Sequence, residues 1–430
     1  MMMMMTTDGP SGGRVGDQRE EDPWQALAQS PQPAPKTAAA LDVLLVFLRL
    51  GLTSFGGPIA HIGYFRDAFV ARRRWLSEQA YADLVALCQF LPGPASSQTG
   101  FAIGLMHAGY LGGLAAWIGF TLPSAMLMLL FAAGVGSLGG VLGRGMLHGL
   151  KLVAVAIVAQ AVWGMARALC PDRERASIAA VAALLVLFSA SSVVQIAAIL
   201  LGGVAGLFLC RDAPPLTGGH VAMPVSRTAG IVALVAFFVL LLAALLLPGR
   251  LSLRGFDLFA AFYRSGALVF GGGHVVLPLL REAFVAPGWV SDDAFLAGYG
   301  AAQAVPGPLF TFAAYLGAVS NLDPNGIAGA MLGLIGIFLP GILVLIGMLP
   351  FWDAFRMRLE AQAAMRGVNA AVVGILGAAL YNPVWTSSVK APSDLAIALV
   401  GFVLLVAWRA PPLVVVVVSA LGGLALAKGQ

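Results

Sequence analysis

Long apolar runs separated by short polar breaks make up most of this chain. Leu111 to Ala133, Leu152 to Leu169, Ile178 to Phe188, Val193 to Leu209, Ile231 to Leu247, Ala328 to Leu349, Val368 to Leu380, Leu395 to Trp408 and Leu413 to Ala427 are almost free of charge. A helix needs about 20 apolar residues to cross a bilayer, so the longest runs predict full spans. The shorter ones must be broken, re-entrant or extended by polar neighbours. Strict alternation is absent, and leucine, alanine and glycine fill the runs, which predicts helices and excludes a barrel. Residues 1–40 read differently. Met1 to Lys36 is polar and rich in Pro, Gln, Gly and acidic side chains, which predicts a disordered tail. No apolar stretch precedes Leu41, so no secretory signal peptide is expected.

The pattern occurs twice. Phe47 to Pro94 is matched by Phe262 to Pro308, pairing Phe47 with Phe262, Arg49 with Arg264, Gly51 with Gly266 and Phe55-Gly56-Gly57 with Phe270-Gly271-Gly272. Farther on, Arg66 pairs with Arg281, Trp75 with Trp289, Ser77 with Ser291, Gln89 with Gln303, and Pro92-Gly93-Pro94 with Pro306-Gly307-Pro308. Residues 41–210 form one repeat and 229–430 the other. The stretch 211–228, with Pro-Pro and Gly-Gly turn signals, is the linker. The expected fold is an all-α polytopic membrane protein: a duplicated helical bundle with broken or re-entrant helices. Arg66 to Trp75 carries four arginines against Asp67, whereas Arg281 to Asp293 carries one against Glu282, Asp292 and Asp293. Opposite bias in equivalent loops predicts an inverted repeat with the first loop cytoplasmic.

Composition narrows the class. Of 430 residues 59% are hydrophobic and 10% charged, and the mean hydropathy is +0.89, whereas a soluble domain carries roughly 25% charged residues. The formal charge of +5 reflects arginines at membrane borders rather than a nucleic-acid patch. Cys88, Cys170 and Cys210 are isolated and lack metal spacing, which marks them as small buried hydrophobes. No His-Glu-x-x-His, Gly-x-Ser-x-Gly or ligand-spaced Cys pair occurs, so neither an enzyme, a metal nor a cofactor is expected.

The candidate chemistry sits in the repeated passage. Asp42 and Arg49 are two helical turns apart, as are Asp257 and Arg264, and both arginines are expected to point inward, since an ionisable group inside a span faces the bundle interior. Gly56 and Gly57, with Gly271 and Gly272, serve either close helix packing or a helix break whose amides and terminus receive an anion. No Lys-Ser or Lys-Thr follows these glycines, which excludes a nucleotide loop. Gln89, Pro92, Gly93 and Pro94, echoed by Gln303, Pro306, Gly307 and Pro308, predict two re-entrant or discontinuous helices that meet near the midplane. Ser96 and Ser97 either cap the next helix or hold a ligand. His61 and His274 follow the two glycine groups without aligning.

These residues resemble the chromate transporter family in its long, two-domain form. Its marks here are Phe55-Gly56-Gly57-Pro58 with His61 downstream, the Trp75-Leu-Ser77 and Trp289-Val-Ser291 steps, and the paired Gln-x-x-Pro-Gly-Pro motifs. The second half departs from it, with Gly273 in place of Pro58. The resemblance covers the chain from Leu41 onward. It implies proton-coupled or potential-coupled export of chromate from a plasma membrane, conferring chromate resistance. The implied partners are chromate or a similar oxyanion and the lipid bilayer, with a homodimer as the candidate assembly and no nucleic acid. A sulfate or other oxyanion transporter is the alternative reading, and a membrane receptor or scaffold the second. A receptor or scaffold would not need the matched breaks.

Overall fold

The computed structural model of the protein describes residues 36–55, 57–135, 140–189, 192–211, 224–250, 255–270, 275–352 and 358–428. Among them the regular structure is helical and no strand occurs. The first half comprises α1 (Lys36–Thr53), α2 (Gly57–Arg66), α3 (Glu78–Phe90), α4 (Ala95–Val135), α5 (Gly140–Leu169), α6 (Arg173–Phe188) and α7 (Ser192–Leu209). After α8 (Arg227–Leu246), the second half comprises α9 (Phe256–Ala267), α10 (Val276–Phe284), α11 (Asp292–Ala304), α12 (Phe312–Val319), α13 (Gly326–Met348), α14 (Leu359–Ala379), α15 (Pro392–Val406) and α16 (Pro412–Lys428). Among the described residues five helical stretches are long and apolar enough to cross a membrane: Ala95–Gly134, Gly145–Leu169, Arg227–Leu246, Gly326–Phe351 and Leu359–Ser388. The protein is a multi-pass membrane protein built as a duplicated bundle, as the hydropathy pattern predicts.

One boundary differs from expectation. Helix α1 begins at Lys36, so Lys36 to Ala40 belong to it and not to the tail. The Lys-Thr-Ala-Ala-Ala opening holds strong helix formers that extend the apolar helix behind them. The rest of the expected tail, to residue 35, and most of the expected linker, 212–223, lie outside the described residues.

Local chemistry reproduces the same passage twice. Ser77 Oγ accepts from Ala80 N at the start of α3, and Ser291 Oγ from Ala294 N at the start of α11, each at 3.2 Å. Such caps satisfy amides that have no partner within the helix. Arg66 pairs with Glu78 at 2.5 Å and Arg281 with Asp292 at 2.9 Å, tying each α2-type helix to the one after it. Trp75 packs on Phe69, and Trp289 on Phe284. Both α3 and α11 have 13 residues, too few to span, and both end at a Pro-Gly-Pro loop. Helix α4 then runs on but breaks at Ala108 and Gly109, while the second half passes through a 3₁₀ turn, Leu309–Thr311, into the short α12.

The halves are interlocked. Helices α6 and α7 pack on α14 of the second half, and α15 and α16 pack on α5 of the first. Lipid tails are as apolar as leucine, so such contacts rest on close packing by small residues rather than on the hydrophobic effect. A Cβ at Gly206 would meet Gly367 Cα at 2.9 Å, and one at Gly149 would meet Ala420 Cα at 2.7 Å. Each half thus closes on the other by the same small-residue crossing.

Candidate functional site

The two Pro-Gly-Pro loops cross at the centre of this exchange. Gly93 N donates to Val269 O at 2.7 Å, and Gly307 N donates to Ser54 O at 2.9 Å. Ser54 and Val269 occupy equivalent places just before the two glycine groups, so each loop bonds to the broken helix end of the opposite half. Both loop glycines lie in the left-handed region, at φ 119° and 95°. They also lack room for a side chain. A Cβ at Gly93 would meet Gly341 Cα at 2.8 Å, and one at Gly307 would meet Ser124 Oγ at 2.9 Å. Conformation and space therefore both demand glycine. Pro94, Pro306 and Pro308 are buried and Pro92 is half-buried. The two helix interruptions come together at these loops.

Polar groups gather on the first-half side of the crossing. His61, on α2, is fully buried; its Nδ1 lies 3.4 Å from Ser96 Oγ and its ring meets Phe120 edge-on at 5.1 Å. Ser96, Ser97 and Gln98 are buried on the first turn of α4. Gln98 Nε2 donates to Pro92 O and to Gly341 O, both at 2.9 Å, and so ties the first loop to α13 of the second half. His61 Nε2, Ser54 Oγ, Ser97 Oγ, Gln98 Oε1 and Thr121 Oγ1 are buried without hydrogen-bond partners. Groups left so inside a protein each cost about 1–3 kcal/mol, and such a cluster marks a place where a polar ligand can sit.

The second half keeps the skeleton and changes the lining. Aligning Gly119 with Gly336 and Pro123 with Pro340, Val276 stands for His61, Val269 for Ser54 and Phe338 for Thr121. After the second loop come Leu309, Phe310, Thr311 and Phe312, all buried, where the first has Ala95 to Gln98. Thr311 Oγ1 is bonded back to Pro308 O at 2.8 Å. Gln303 is half-buried with its Nε2 unpartnered.

Several expected residues lie elsewhere. Arg49 does not point inward: it falls on the exposed stripe of α1 with Leu41, Leu45 and Leu52, at helical spacing, while Val43, Val46 and Phe47 face the core. Asp42 pairs with Arg73 at 2.9 Å. Arg264 is half-buried on α9, and neither arginine hydrogen-bonds a loop among the described residues. Gln89 is exposed because its turn of α3 leaves the loop crossing to Leu87, Cys88 and Leu91. Gly57 opens α2 at φ 76°, and a Cβ there would meet nothing within 4 Å, so conformation rather than packing selects it. Gly56, Gly271, Gly272 and His274 lie outside the described residues. Ser54, Gln98 and Thr121 are not among the expected site residues. Comparing the halves beyond their shared motifs would have found all three, as polar residues standing where the other half has Val269, Phe312 and Phe338.

Comparison with known proteins agrees with this duplicated architecture. The chain is 30% identical over 419 residues to a chromate transport protein of Pseudomonas aeruginosa, covering 95% of this chain and 97% of that one. A probable chromate transport protein of Synechococcus elongatus is 26% identical over 88% of this chain and 93% of its own. A chromate transport protein of Cupriavidus metallidurans is 25% identical over 88% and 94%. No solved structure matches the chain. The model of the chromate transporter family matches twice, at residues 41–207 and 256–424, one match for each half of the interlocked bundle. The chain belongs to the chromate transporter family.

Proposed function

We propose that the protein is a secondary transporter that exports chromate, or a closely similar tetrahedral oxyanion, across the plasma membrane and so confers chromate resistance. The observation that carries this reading is the crossing of two discontinuous helices, with unpartnered buried polar groups beside the N-terminal turn of α4. Broken helices at a repeat interface are how many secondary transporters build a substrate site. A helix N-terminus presents free amides and the positive end of its dipole to an anion. The names borne by full-length relatives supply the substrate. His61, Ser96, Ser97 and the turn after Pro94 hold the anion, with Thr121 from the second segment of α4. Gly93 and Gly307 keep the crossing open to rearrangement, and the matched helices move against one another to expose the site to each side in turn. Arg264, half-buried beside Asp257, supplies field rather than direct contact.

Chromate uptake into everted vesicles tests the reading, with protein abundance checked by immunoblot. Chromate accumulation that depends on the protein and on an imposed ion gradient is the expected result. Unchanged chromate movement with protein present at normal abundance would reject it, and gradient-driven sulfate movement in its place would transfer the role to sulfate. Single cysteines near Arg73 and Asp292, in a background without Cys88, Cys170 and Cys210, test the inverted arrangement. An impermeant reagent is expected to reach them from opposite sides, and labelling from the same side would make the repeats parallel.

A further inference from the structure

We infer that the site takes its oxyanion in the monoprotonated form, with the ligand hydroxyl donating to Gln98 Oε1. The inference rests on the oxyanion reading above and specifies the chemical species. Gln98 is 1% exposed, and its amide faces two carbonyls, Pro92 O and Gly341 O. Carbonyls only accept, so Nε2 must face them and Oε1 must point away. That oxygen is an acceptor with no donor among the described residues. Beside it on the same helical turn is Ser97, and His61 reaches the turn through Ser96. The free hydroxyls of Ser97 and Thr121 can donate to ligand oxygens, and so can His61 Nε2.

A fully ionised oxyanion offers oxygens that only accept. It would leave Gln98 Oε1 unpaired and place like partial charges together, whereas a hydrogen oxyanion supplies the missing O–H. Charge points the same way. The buried ionisable side chains on the elements around Gln98 are His61 on α2, Tyr81, Asp83 and Cys88 on α3, Tyr299 on α11 and Tyr315 on α12, and α13 has none among the described residues. From α1, Asp42 is paired to Arg73 and Arg49 lies on the outward stripe. With no lysine or arginine in the lining among the described residues, a monoanion is far less costly to bury than a dianion. The hydrogen oxyanion of chromate ionises near neutral pH, while that of sulfate survives only in strong acid. Isosteric size gives little discrimination between the two, but a buried group that needs the ligand hydroxyl does.

The test is equilibrium binding of radiolabelled chromate to the purified full-length protein across neutral pH, for wild type and His61→Gln. The expected affinity for total chromate falls about tenfold per pH unit above the ligand's second ionisation. The slope is expected to be the same in His61→Gln, whose binding is weaker overall. Sulfate is expected to compete at least about a hundredfold less well than chromate at neutral pH. Affinity independent of pH, with sulfate competing as an equal, would overturn the inference. So would a slope that disappears in His61→Gln, since the proton would then sit on the protein. Absence of chromate binding at every pH would instead overturn the oxyanion reading itself.

Discussion

The two halves of the bundle differ less in their backbone than in what that backbone carries. The caps Ser77 and Ser291, the pairs Arg66–Glu78 and Arg281–Asp292, and the reciprocal bonds of Gly93 and Gly307 are the same device used twice. The linings are not. The first half contributes His61, Ser96, Ser97, Gln98 and Thr121, where the second has Val276, Phe310, Thr311, Phe312 and Phe338, all buried. Duplication supplies a two-fold frame, and an interlocked frame needs both copies to close. A ligand needs only one polar lining, and a second would bury more unpaired groups at about 1–3 kcal/mol each. Aromatic packing on the other side instead gives a rigid wall, with Phe295, Phe312 and Tyr315 in ring contact.

The sharpest way to break this comparison is to attack the shared frame. Gly93→Ala and Gly307→Ala each force a side chain into a left-handed conformation and a space already filled, at about 2–4 kcal/mol. Both are expected to lower thermal stability in detergent by a similar amount. If only one did so, the halves would not share the load of the crossing.

Exchanging the linings comes next. His61→Val gives the first half the residue of the second, and chromate binding is expected to weaken at least about tenfold with thermal stability nearly kept. The reverse change, Val276→His, is expected to add no chromate binding. Equal losses of binding in the two variants would place the ligand on the axis between the halves instead of on one side.

A smaller effect is expected from the repeated ion pairs. Glu78→Gln removes a pair whose partners are 59% exposed, whereas Asp292→Asn removes one about 30% exposed, at 32% and 28%. Exposed pairs contribute about 0–1 kcal/mol, so the second variant is expected to lose more thermal stability than the first. Least of all is expected from Arg49→Gln, because Arg49 lies on the outward stripe of α1. Efflux at the wild-type rate is the expected outcome, and a loss of efflux at full abundance would return Arg49 to the site.

Much of this was legible in the chain itself. Apolar run length fixes helices in a bilayer, because unpaired backbone groups have no other solution there. The doubled Pro-Gly-Pro motif fixes where those helices break, since proline cannot continue them. Family membership follows from the same motifs. Tertiary structure alone decided which loop bonds to which helix end, because the bonds from Gly93 to Val269 and from Gly307 to Ser54 join residues far apart in sequence. It also decided the direction of side chains. Matched spacing suggested that Arg49 and Arg264 share an inward role, yet a helix in a bilayer has a lipid face as well as a core face. Only the packing of α1 on α4, with Phe47 turned inward, places Arg49 on the outer one. Gln98 is the converse case. Nothing in its neighbourhood of sequence shows that its amide nitrogen meets Gly341 O across the interface, and that bond is what leaves its oxygen free for a ligand.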